Sequence, residues 1–251
     1  MTTSTVPAPL ADQVLLITGG ARRVGAAVVR ALHAAGAKVM IHYRHSSDDA
    51  ATLARELELL RAGSAAIVGQ DLLDPTAPDA LVRTTLERFG RLDILINNAS
   101  TFYPTAVGEI TLAHWDDLMG SNLKAPLFLA QAAAPHLKVR GGLILNIVDI
   151  HALRPLKNHP VYSIAKAGLA MLTKSLAREL GPEIRVNGIA PGPVLWPDRP
   201  IAAALKEEII AKTALKRHGT PEDIARTALF FATEAPYVTG QIIAVDGGRS
   251  V

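Results

Sequence analysis

Short apolar runs alternate with longer segments of helical periodicity along nearly the whole chain. The runs are rich in Val, Ile and Leu, and apolar residues between them recur every three to four positions. Strands that are buried on both faces have this continuous apolar character, and the helices between them connect strands that run parallel. The pattern therefore predicts an α/β fold: a Rossmann-type, doubly wound parallel sheet of about seven strands flanked by helices.

The predicted strands cover Val14–Thr18, Lys38–His42, Ala65–Gly69, Leu92–Asn97, Gly142–Val148, Ile184–Ile189 and Ile242–Val245. The predicted helices cover Val24–Ala35, Asp48–Ala62, Pro75–Phe89, Leu112–Leu137, Val161–Leu180, Ile201–Lys212 and Pro221–Ala232. Four glycines follow predicted helix ends, where a left-handed residue closes the last turn: Gly36, Gly63, Gly90 and Gly181. Because no linker, repeat or composition shift divides the chain, we expect a flexible tail over residues 1–12 and a single domain over residues 13–251.

Composition and charge exclude several classes of function. The chain has no cysteine, which removes disulfides, thiol catalysis and thiolate metal sites, and none of its eight histidines has metal-ligand spacing. The net charge of +3 is spread among 26 basic and 23 acidic residues, which gives little support to a nucleic-acid or membrane surface. The opening residues Met1–Leu10 have no basic residue and no apolar run of the length typical of a signal peptide, and the sequence has no uncharged apolar stretch of ~18 residues. We therefore expect a cytoplasmic protein that binds no metal, nucleic acid or membrane.

A glycine-rich turn joins the first predicted strand to the first predicted helix. Such a turn lets backbone N–H groups at a helix N-terminus approach a pyrophosphate, and the helix dipole adds to the attraction. The spacing differs from the common G-x-G-x-x-G, so a plain tight turn is the alternative. The residues expected to bind a cofactor here are Thr18, Gly19, Arg22, Arg23, Val24 and Gly25.

The end of the second predicted strand indicates which dinucleotide would bind. An acid at this position accepts a hydrogen bond from the ribose 2′-hydroxyl of NAD, whereas a 2′-phosphate needs cations and hydroxyls. The residues at the strand end are His42, Tyr43, Arg44, His45 and Ser46, and the first acid after the strand is Asp48. We therefore predict NADPH/NADP⁺ as the cofactor, with a solvated surface turn as the alternative.

Polar residues also follow the third and fourth predicted strands. Asp71, next to Leu72, is placed to hold the adenine amino group, while Asn98, Ala99 and Ser100 form a turn that braces the centre of the cleft. Simple turn chemistry is the alternative in both places, because Asn and Asp readily bond their own backbone.

Tyr162 and Lys166 are four residues apart on a predicted helix, so their side chains lie on one face. An ammonium group near a phenol favours the phenolate and moves the pKa of the phenol toward neutrality, where it can exchange protons in a hydride-transfer reaction. Asp149, at the end of the fifth predicted strand, lies thirteen residues ahead of Tyr162. All three side chains can converge above a nicotinamide ring.

With these motifs the sequence resembles the short-chain dehydrogenase/reductase family over nearly its whole length. The matching residues are Thr18-Gly19 with Gly25, Asp71, Asn97-Asn98-Ala99, Asn122, Tyr162 with Lys166, Arg185-Val186-Asn187, Pro191-Gly192 and Asp246-Gly247-Gly248. Two residues depart from the family pattern. Arg23 replaces the middle glycine of the T-G-x-x-x-G-x-G turn, and Asp149 replaces the usual serine. Both departures occur together in the pteridine reductase subfamily, which this sequence resembles in particular.

The resemblance implies roles for several residues. Asn122, Tyr162 and Lys166 would form a proton relay, with Lys166 also holding the nicotinamide ribose, and Pro191 and Gly192 would lie against the cofactor. Residues 13–251 would then form a single NADP-binding reductase domain. The long helices before and after the fifth strand would form the contacts of a homotetramer.

The resemblance further implies a pterin or folate substrate that stacks between the nicotinamide and Phe102. Arg23 and Ser100 would contact both the substrate and the cofactor phosphates, and Leu195 and Trp196 would form a variable loop over the ligand. Asp149 and Tyr162 complete the expected substrate-binding set.

The substitution at position 149 fits this substrate class chemically. A serine hydroxyl can bond the oxyanion that develops on a ketone, whereas a carboxylate would repel it but would pair with the N–H-rich edge of a pterin. The sequence thus predicts an NADPH-dependent pteridine reductase that adds hydride at C6 and a proton at N5 of a dihydropterin, with oxidised pterin or dihydrofolate as further candidates. The alternatives are a carbonyl reductase such as a 3-oxoacyl reductase, a non-catalytic NADPH-binding sensor, and a turn-capping role for Asp149.

Overall fold

Seven parallel strands form the central sheet of the computed structural model, which describes residues 8–196 and 202–251. The strands are β1 Val14–Ile17, β2 Lys38–Tyr43, β3 Ala65–Gly69, β4 Ile94–Asn97, β5 Leu143–Ile147, β6 Arg185–Pro191 and β7 Ile242–Val245. Their order is β3-β2-β1-β4-β5-β6-β7, and every neighbouring pair is parallel. The prediction of a doubly wound parallel sheet is confirmed. The strand order reverses between β1 and β4, where such folds bind ligands.

Eight α-helices flank the sheet among the described residues. They are α1 Arg23–Ala34, α2 Ser47–Leu60, α3 Ala77–Phe89, α4 Leu112–Met119, α5 Ala125–Lys138, α6 Pro160–Glu179, α7 Ala203–Ala211 and α8 Pro221–Thr233. One face of the sheet packs against α1, α2 and α8, and the other packs against α3, α5 and α6. No helix of the described residues is long and apolar enough to cross a membrane.

Strand β1 shows why the sheet needs helices on both faces. Leu15 and Ile17 belong to the core on the side of α1, whereas Leu16 belongs to the core on the side of α3 and α5. Successive side chains of a strand point to opposite faces, so an uninterrupted apolar run must be covered twice. All four residues of β1 are buried.

The helix predicted over Leu112–Leu137 is wrong as a single element. Helix α4 ends at Met119, a π-helical turn covers Gly120–Lys124, and α5 begins at Ala125. The side chain of Asn122 is fully buried in this turn, and its Nδ2 donates to the carbonyl oxygen of Leu118 at 3.0 Å. A polar side chain that bonds the preceding turn competes with regular helical bonding, and π-turns of this kind often occur at functional sites.

Two other predictions need correction at their boundaries. Residues 8–12 were expected to belong to a flexible tail, but Leu10 is fully buried in the core and its N–H donates to the carbonyl of Ala35. Gly36, Gly63 and Gly90 have positive φ as expected, whereas Gly181 does not. Residues 1–7 of the expected tail, and Ile201 at the start of the sixth predicted helix, lie outside the described residues.

Candidate active site

The carboxyl ends of the strands open onto a cleft of about 680 Å³ at the point where the strand order reverses. Most of the residues predicted from the sequence line this cleft. They are Gly19, Arg22, Arg23, Val24, Gly25, His42, Arg44, Asp71, Leu72, Asn98, Ala99, Ser100, Phe102, Asp149, Tyr162, Pro191, Gly192 and Leu195. These residues, predicted from separate motifs, therefore converge on one cleft.

The turn between β1 and α1 has the shape that a dinucleotide pyrophosphate requires. A Cβ atom added at Gly25 would lie 2.2 Å from the carbonyl oxygen of Gly19, and Gly19 itself has a φ of +60°. Both positions therefore require glycine. The amide nitrogen of Asn98 donates to the carbonyls of Thr18 and Gly19 at 2.9 Å, which holds the turn open at the N-terminus of α1. This cradle of backbone atoms fits the phosphates of a dinucleotide.

Thr18 stabilises the turn through side-chain hydrogen bonds and does not line the cleft formed by the described residues. Its side chain is buried, and its Oγ1 accepts hydrogen bonds from the backbone N–H groups of Asn98 and Ala99 at 3.0 Å each. Its expected role as a direct cofactor ligand is corrected to one of joining the ends of β1 and β4.

Arg23 occupies a backbone conformation that normally favours glycine. Its φ is +54°, in the left-handed region, which costs a residue with a Cβ roughly 1–2 kcal/mol. The Arg23 guanidinium lines the cleft, and its Nη2 donates to the carbonyl oxygen of Trp196 at 3.1 Å. A cation with a strained backbone thus occupies the position where the family has its middle glycine, and such strain is frequent at functional sites.

Two cations line the cleft, Arg44 just after β2 and Arg22 at the start of α1. Arg44 Nη1 lies 3.9 Å from Asp71 Oδ1, and Arg22 Nε lies 3.7 Å from Asp49 Oδ2. Both pairs are substantially exposed, so each contributes little to stability.

Three residues predicted at this end do not line the cleft of the described residues. Tyr43 lies on the other face of β2, because strand side chains alternate, and its ring covers Gly69 at 3.0 Å from the position of a Cβ. His45 is exposed in the following turn, and Ser46 is the N-cap residue of α2. Their expected cofactor contacts stay predictions that the lining of this cleft does not support.

Asp149 and Tyr162 meet directly in the cleft. Tyr162 Oη donates to Asp149 Oδ2 at 2.7 Å. Asp149 Oδ1 accepts from the backbone N–H of His151 at 2.8 Å, so the carboxylate also caps the short 3-10 turn over Ile150–Ala152. A carboxylate has about four acceptor positions, so two remain for a ligand.

The environment of Tyr162 keeps the phenol protonated. Burial, followed by the charge and the hydrogen bond of Asp149, raises the pKa of Tyr162 well above its usual value of 10, against a smaller opposing effect of Ser100. The expectation that Lys166 would bring this pKa toward neutrality is therefore wrong for the unliganded site, because the carboxylate is nearer to the phenol oxygen than the ammonium group.

Lys166 lies beneath the cleft and does not line it among the described residues. It is 2% exposed, its Nζ donates to the carbonyl oxygen of Ile147 at 2.9 Å, and this nitrogen lies 5.8 Å from the centre of the Tyr162 ring. Burial lowers the pKa of Lys166 from 10.5 to about 8, with the charge of Asp149 acting in the opposite direction.

Asn122 is held by a network that the sequence did not predict. Its Oδ1 accepts from Ser100 Oγ at 2.7 Å, and its Nδ2 donates to the carbonyl of Thr101 at 3.0 Å. Thr101 Oγ1 and Ser121 Oγ are 2.6 Å apart. Asn122 thus connects to the cleft through Ser100, rather than through a direct bond to Lys166.

Five cleft residues were not selected from the sequence: Leu73, Thr101, Ser121, Ile147 and Val194. All five are neighbours in the chain, within one or two positions, of residues that were selected. Their proximity in the sequence to the motifs could have identified them. Proximity alone does not show which neighbouring side chains face the cleft.

An aromatic platform, formed by Phe102 and His159, lies beside Tyr162. The Phe102 ring is stacked on the His159 ring with centroids 4.8 Å apart and an interplanar angle of 12°. It meets the ring of Tyr162 edge-on, also at 4.8 Å. Phe102 is 54% exposed, so one face remains open to a flat ligand.

Trp196 does not line the cleft of the described residues, contrary to expectation. Its ring is stacked on His218 with centroids 4.3 Å apart, while Lys206 Nζ lies 5.5 Å from the ring centre. Neighbouring Leu195 lines the cleft as expected. The chain then continues into residues 197–201, which the structure does not describe.

No group of three or more His, Cys, Asp or Glu side chains that could hold a metal ion occurs in the part of the chain that the structure describes.

Comparisons with known proteins agree with this geometry. A family model described as Enoyl-(Acyl carrier protein) reductase matches residues 19–250. A pteridine reductase 1 from Leishmania tarentolae is 37% identical, with 100% of this chain and 99% of that protein covered. A 3-oxoacyl-[acyl-carrier-protein] reductase from Synechocystis sp. is 35% identical, with 95% of this chain and 97% of that protein covered.

Two solved structures are similar over 97% of this chain and 100% of their own. A short-chain dehydrogenase/reductase from Serratia marcescens and a blue fluorescent protein from a metagenomic library, solved in complex with NADPH, each have a TM-score of 0.91 and 34% identity. The chain belongs to the short-chain dehydrogenase/reductase family and is an NAD(P)-dependent oxidoreductase.

Proposed function

We propose that this chain is an NADPH-dependent pteridine reductase that reduces a dihydropterin to its tetrahydro form. The single observation that carries the proposal is the 2.7 Å hydrogen bond from Tyr162 Oη to Asp149 Oδ2, at a position where the family normally has serine. A carboxylate beside the proton donor suits a nitrogen heterocycle and disfavours a ketone, whose developing oxyanion it would repel.

The choice of NADPH is supported by the charge at the end of β2. Arg44, which follows β2, and Arg22, at the start of α1, both line the cleft, and β2 ends without an acid at the position where NAD-binding folds place one. The similar metagenomic protein was solved with NADPH. The glycine cradle and these cations fit NADPH, which supplies the hydride when bound.

The protein side chains would manage the proton. Tyr162, which its surroundings keep protonated, donates from Oη to N5 of the pterin while C6 receives the hydride. Asp149 holds this hydroxyl in place and offers its remaining acceptor positions to pterin N–H groups. Lys166 supports the arrangement from beneath, with Ile147 fixing its ammonium group.

The aromatic platform supports a flat substrate. Phe102 presents one open face to the cleft, while His159 and Tyr162 fix the tilt of its ring. Offset stacking of a heteroaromatic ring on such a face is favourable. The pterin ring, common to dihydrobiopterin-like and dihydrofolate-like compounds, would lie there.

Carbonyl reduction is the second candidate function. It is favoured by the cyanobacterial 3-oxoacyl-[acyl-carrier-protein] reductase, whose 35% identity is close to the 37% of the pteridine reductase. Asp149 argues against carbonyl reduction, because it replaces the serine that would bond a ketone oxyanion.

A substrate panel with a substitution at Asp149 tests the proposal. NADPH oxidation would be followed with a dihydropterin, dihydrofolate and a 3-oxoacyl ester, using wild type and Asp149→Ser. We expect kcat/KM for the pterin to fall at least ~100-fold in the variant, as for loss of acid–base machinery, while the Kd for NADPH changes less than about twofold. Asp79→Ser, at an exposed aspartate in the first turn of α3, is the matched control and should leave both values unchanged.

The outcomes separate the two candidates. Turnover of the 3-oxoacyl ester without turnover of any pterin or folate would favour the carbonyl reductase. Pterin turnover that survives Asp149→Ser undiminished would remove the assigned role of the carboxylate. Absence of all NADPH oxidation would favour the non-catalytic sensor.

We also propose that the protein is a homotetramer. Exposed apolar side chains occur on α4, α5 and α6, among them Trp115, Phe128, Ile164 and Met171. Apolar area of this kind supports association with further copies.

A further inference from the structure

His42 is buried beneath the glycine turn with both ring nitrogens engaged by backbone atoms. The backbone N–H of Gly19 donates to His42 Nδ1 at 3.2 Å, and His42 Nε2 lies 3.0 Å from the carbonyl oxygen of Gln70. The side chain is 1% exposed. Because Nδ1 accepts, the ring is neutral with its proton on Nε2, which donates to Gln70.

The imidazole therefore connects three strand ends. Gly19 follows β1, His42 lies in β2, and Gln70 follows β3 immediately before Asp71. Backbone bonds reinforce the bridge, because the N–H of Gly20 donates to the carbonyl of His42 at 3.0 Å. One ring thus ties the turn expected to hold the pyrophosphate to the segment that carries the adenosine end of the cleft.

The surroundings of His42 favour the neutral ring that this bridge requires. Burial lowers the pKa of His42, while the carbonyl of Gln70 and the carboxylate of Asp71 act in the opposite direction. A protonated ring could not accept from Gly19. A ring with both nitrogens satisfied also has no donor left for a phosphate, so the role of cofactor ligand expected from the sequence does not fit the geometry.

We propose that His42 is a positioning residue for dinucleotide binding, which acts by accepting the Gly19 N–H and holding the glycine turn in its left-handed conformation. The inference rests on the proposed cofactor site but concerns a residue that touches backbone rather than cofactor. Loss of the ring leaves the partly buried N–H of Gly19 and the partly buried carbonyl of Gln70 without their partner and allows the turn to relax.

Two substitutions at His42 and one elsewhere test this role. His42→Leu removes both hydrogen bonds, whereas His42→Asn retains an acceptor near the position of Nδ1. His33→Leu is the matched control, since His33 is also a buried histidine, with its Nε2 2.7 Å from Ser64 Oγ, but lies at the far end of α1. We expect the Kd for NADPH, measured by fluorescence titration, to rise about tenfold, or about 1.4 kcal/mol, in His42→Leu. The rise should be smaller in His42→Asn and absent in His33→Leu.

A second measurement needs no cofactor. In ¹⁵N NMR spectra of the unliganded protein, Nδ1 of His42 should show the shift of a lone-pair nitrogen and Nε2 that of a protonated one, unchanged over a pH range in which exposed histidines titrate. A His42 ring that titrates with the exposed histidines, or that carries its proton on Nδ1, would overturn the inference. So would equal affinities of wild type and His42→Leu, or equal losses in His42→Asn and His42→Leu. Failure of wild type itself to bind NADPH would instead contradict the proposed function from which the inference starts.

Discussion

Replacing Lys166 by methionine should make the protein more stable while removing a group of the proposed active site. Lys166 is 2% exposed, and among the described residues its ammonium group donates one hydrogen bond, to the carbonyl oxygen of Ile147. A buried charge with so little compensation is costly, and methionine has a similar length without the charge. Active-site groups often carry such a cost, which substitution relieves.

The magnitude follows from the pKa of Lys166. A lowering from 10.5 to about 8 corresponds to about 3 kcal/mol at 1.36 kcal/mol per pKa unit. Between these two values the unfolded chain binds more protons than the folded one, so the free energy of unfolding of the wild type rises with pH across this window. Below a pH of about 8 the buried ammonium group of the wild type lowers the free energy of unfolding by this full amount. Loss of the bond to Ile147 offsets about 1 kcal/mol, which leaves a net gain of about 2 kcal/mol for Lys166→Met near neutral pH.

Urea unfolding of the unliganded protein at neutral and alkaline pH measures this gain. The difference between Lys166→Met and wild type should be about 2 kcal/mol near pH 7 and should shrink toward zero near pH 10, as the wild-type lysine loses its proton. Lys174→Met, on the same helix at an exposed position, is the matched control and should change stability by less than about 0.5 kcal/mol at both values. A variant that is less stable than wild type near pH 7, or a difference that does not vary with pH, would refute the reasoning.

Two further predictions concern the cofactor end of the cleft. Arg44→Glu places a carboxylate where the 2′-phosphate is expected, so the ratio of the Kd values for NADH and NADPH should fall by at least about tenfold; an unchanged ratio would exclude Arg44 from phosphate recognition. Gly25→Ala places a Cβ 2.2 Å from the carbonyl oxygen of Gly19, so NADPH binding should weaken by more than about tenfold with the circular dichroism spectrum unchanged. Gly63→Ala, where no atom lies within 4 Å of the added Cβ, should leave that affinity intact, and equal losses in the two variants would show that the close approach is unimportant.

Local sequence patterns predicted the sheet and the position of the cleft well, for a physical reason. Strands buried on both faces must be apolar throughout, and their carboxyl ends converge where the strand order reverses. Predicted and observed bounds agree for β3 and β7, and the remaining strands differ by one or two residues at their ends. Gly25 was identifiable from the glycine-rich turn between a strand and a helix, and the structure gives the physical reason, since an added Cβ would lie 2.2 Å from the Gly19 carbonyl oxygen.

What could not be predicted depends on contacts between distant parts of the chain. The π-turn at Asn122 is set by the bonds of one buried amide to Leu118, Ser100 and Thr101, which helical periodicity does not register. The role of His42 depends on Gly19 and Gln70, at 23 and 28 positions from it in the sequence. The packing of Trp196 on His218 likewise joins segments that no local pattern connects.

The pKa shifts at the site indicate the protonation state in which Tyr162 enters the proposed reaction. Burial favours the neutral form of both Tyr162 and Lys166, and Asp149 opposes loss of the tyrosine proton. Tyr162 therefore enters the reaction as an acid, which is the role that reduction of a C=N bond requires. Protonation of an imine nitrogen creates positive charge close to Asp149, where a carboxylate stabilises it, whereas a ketone creates negative charge at the same place. The same carboxylate thus raises the pKa of Tyr162, which keeps the phenol protonated, and supports the proposed preference for an imine over a ketone.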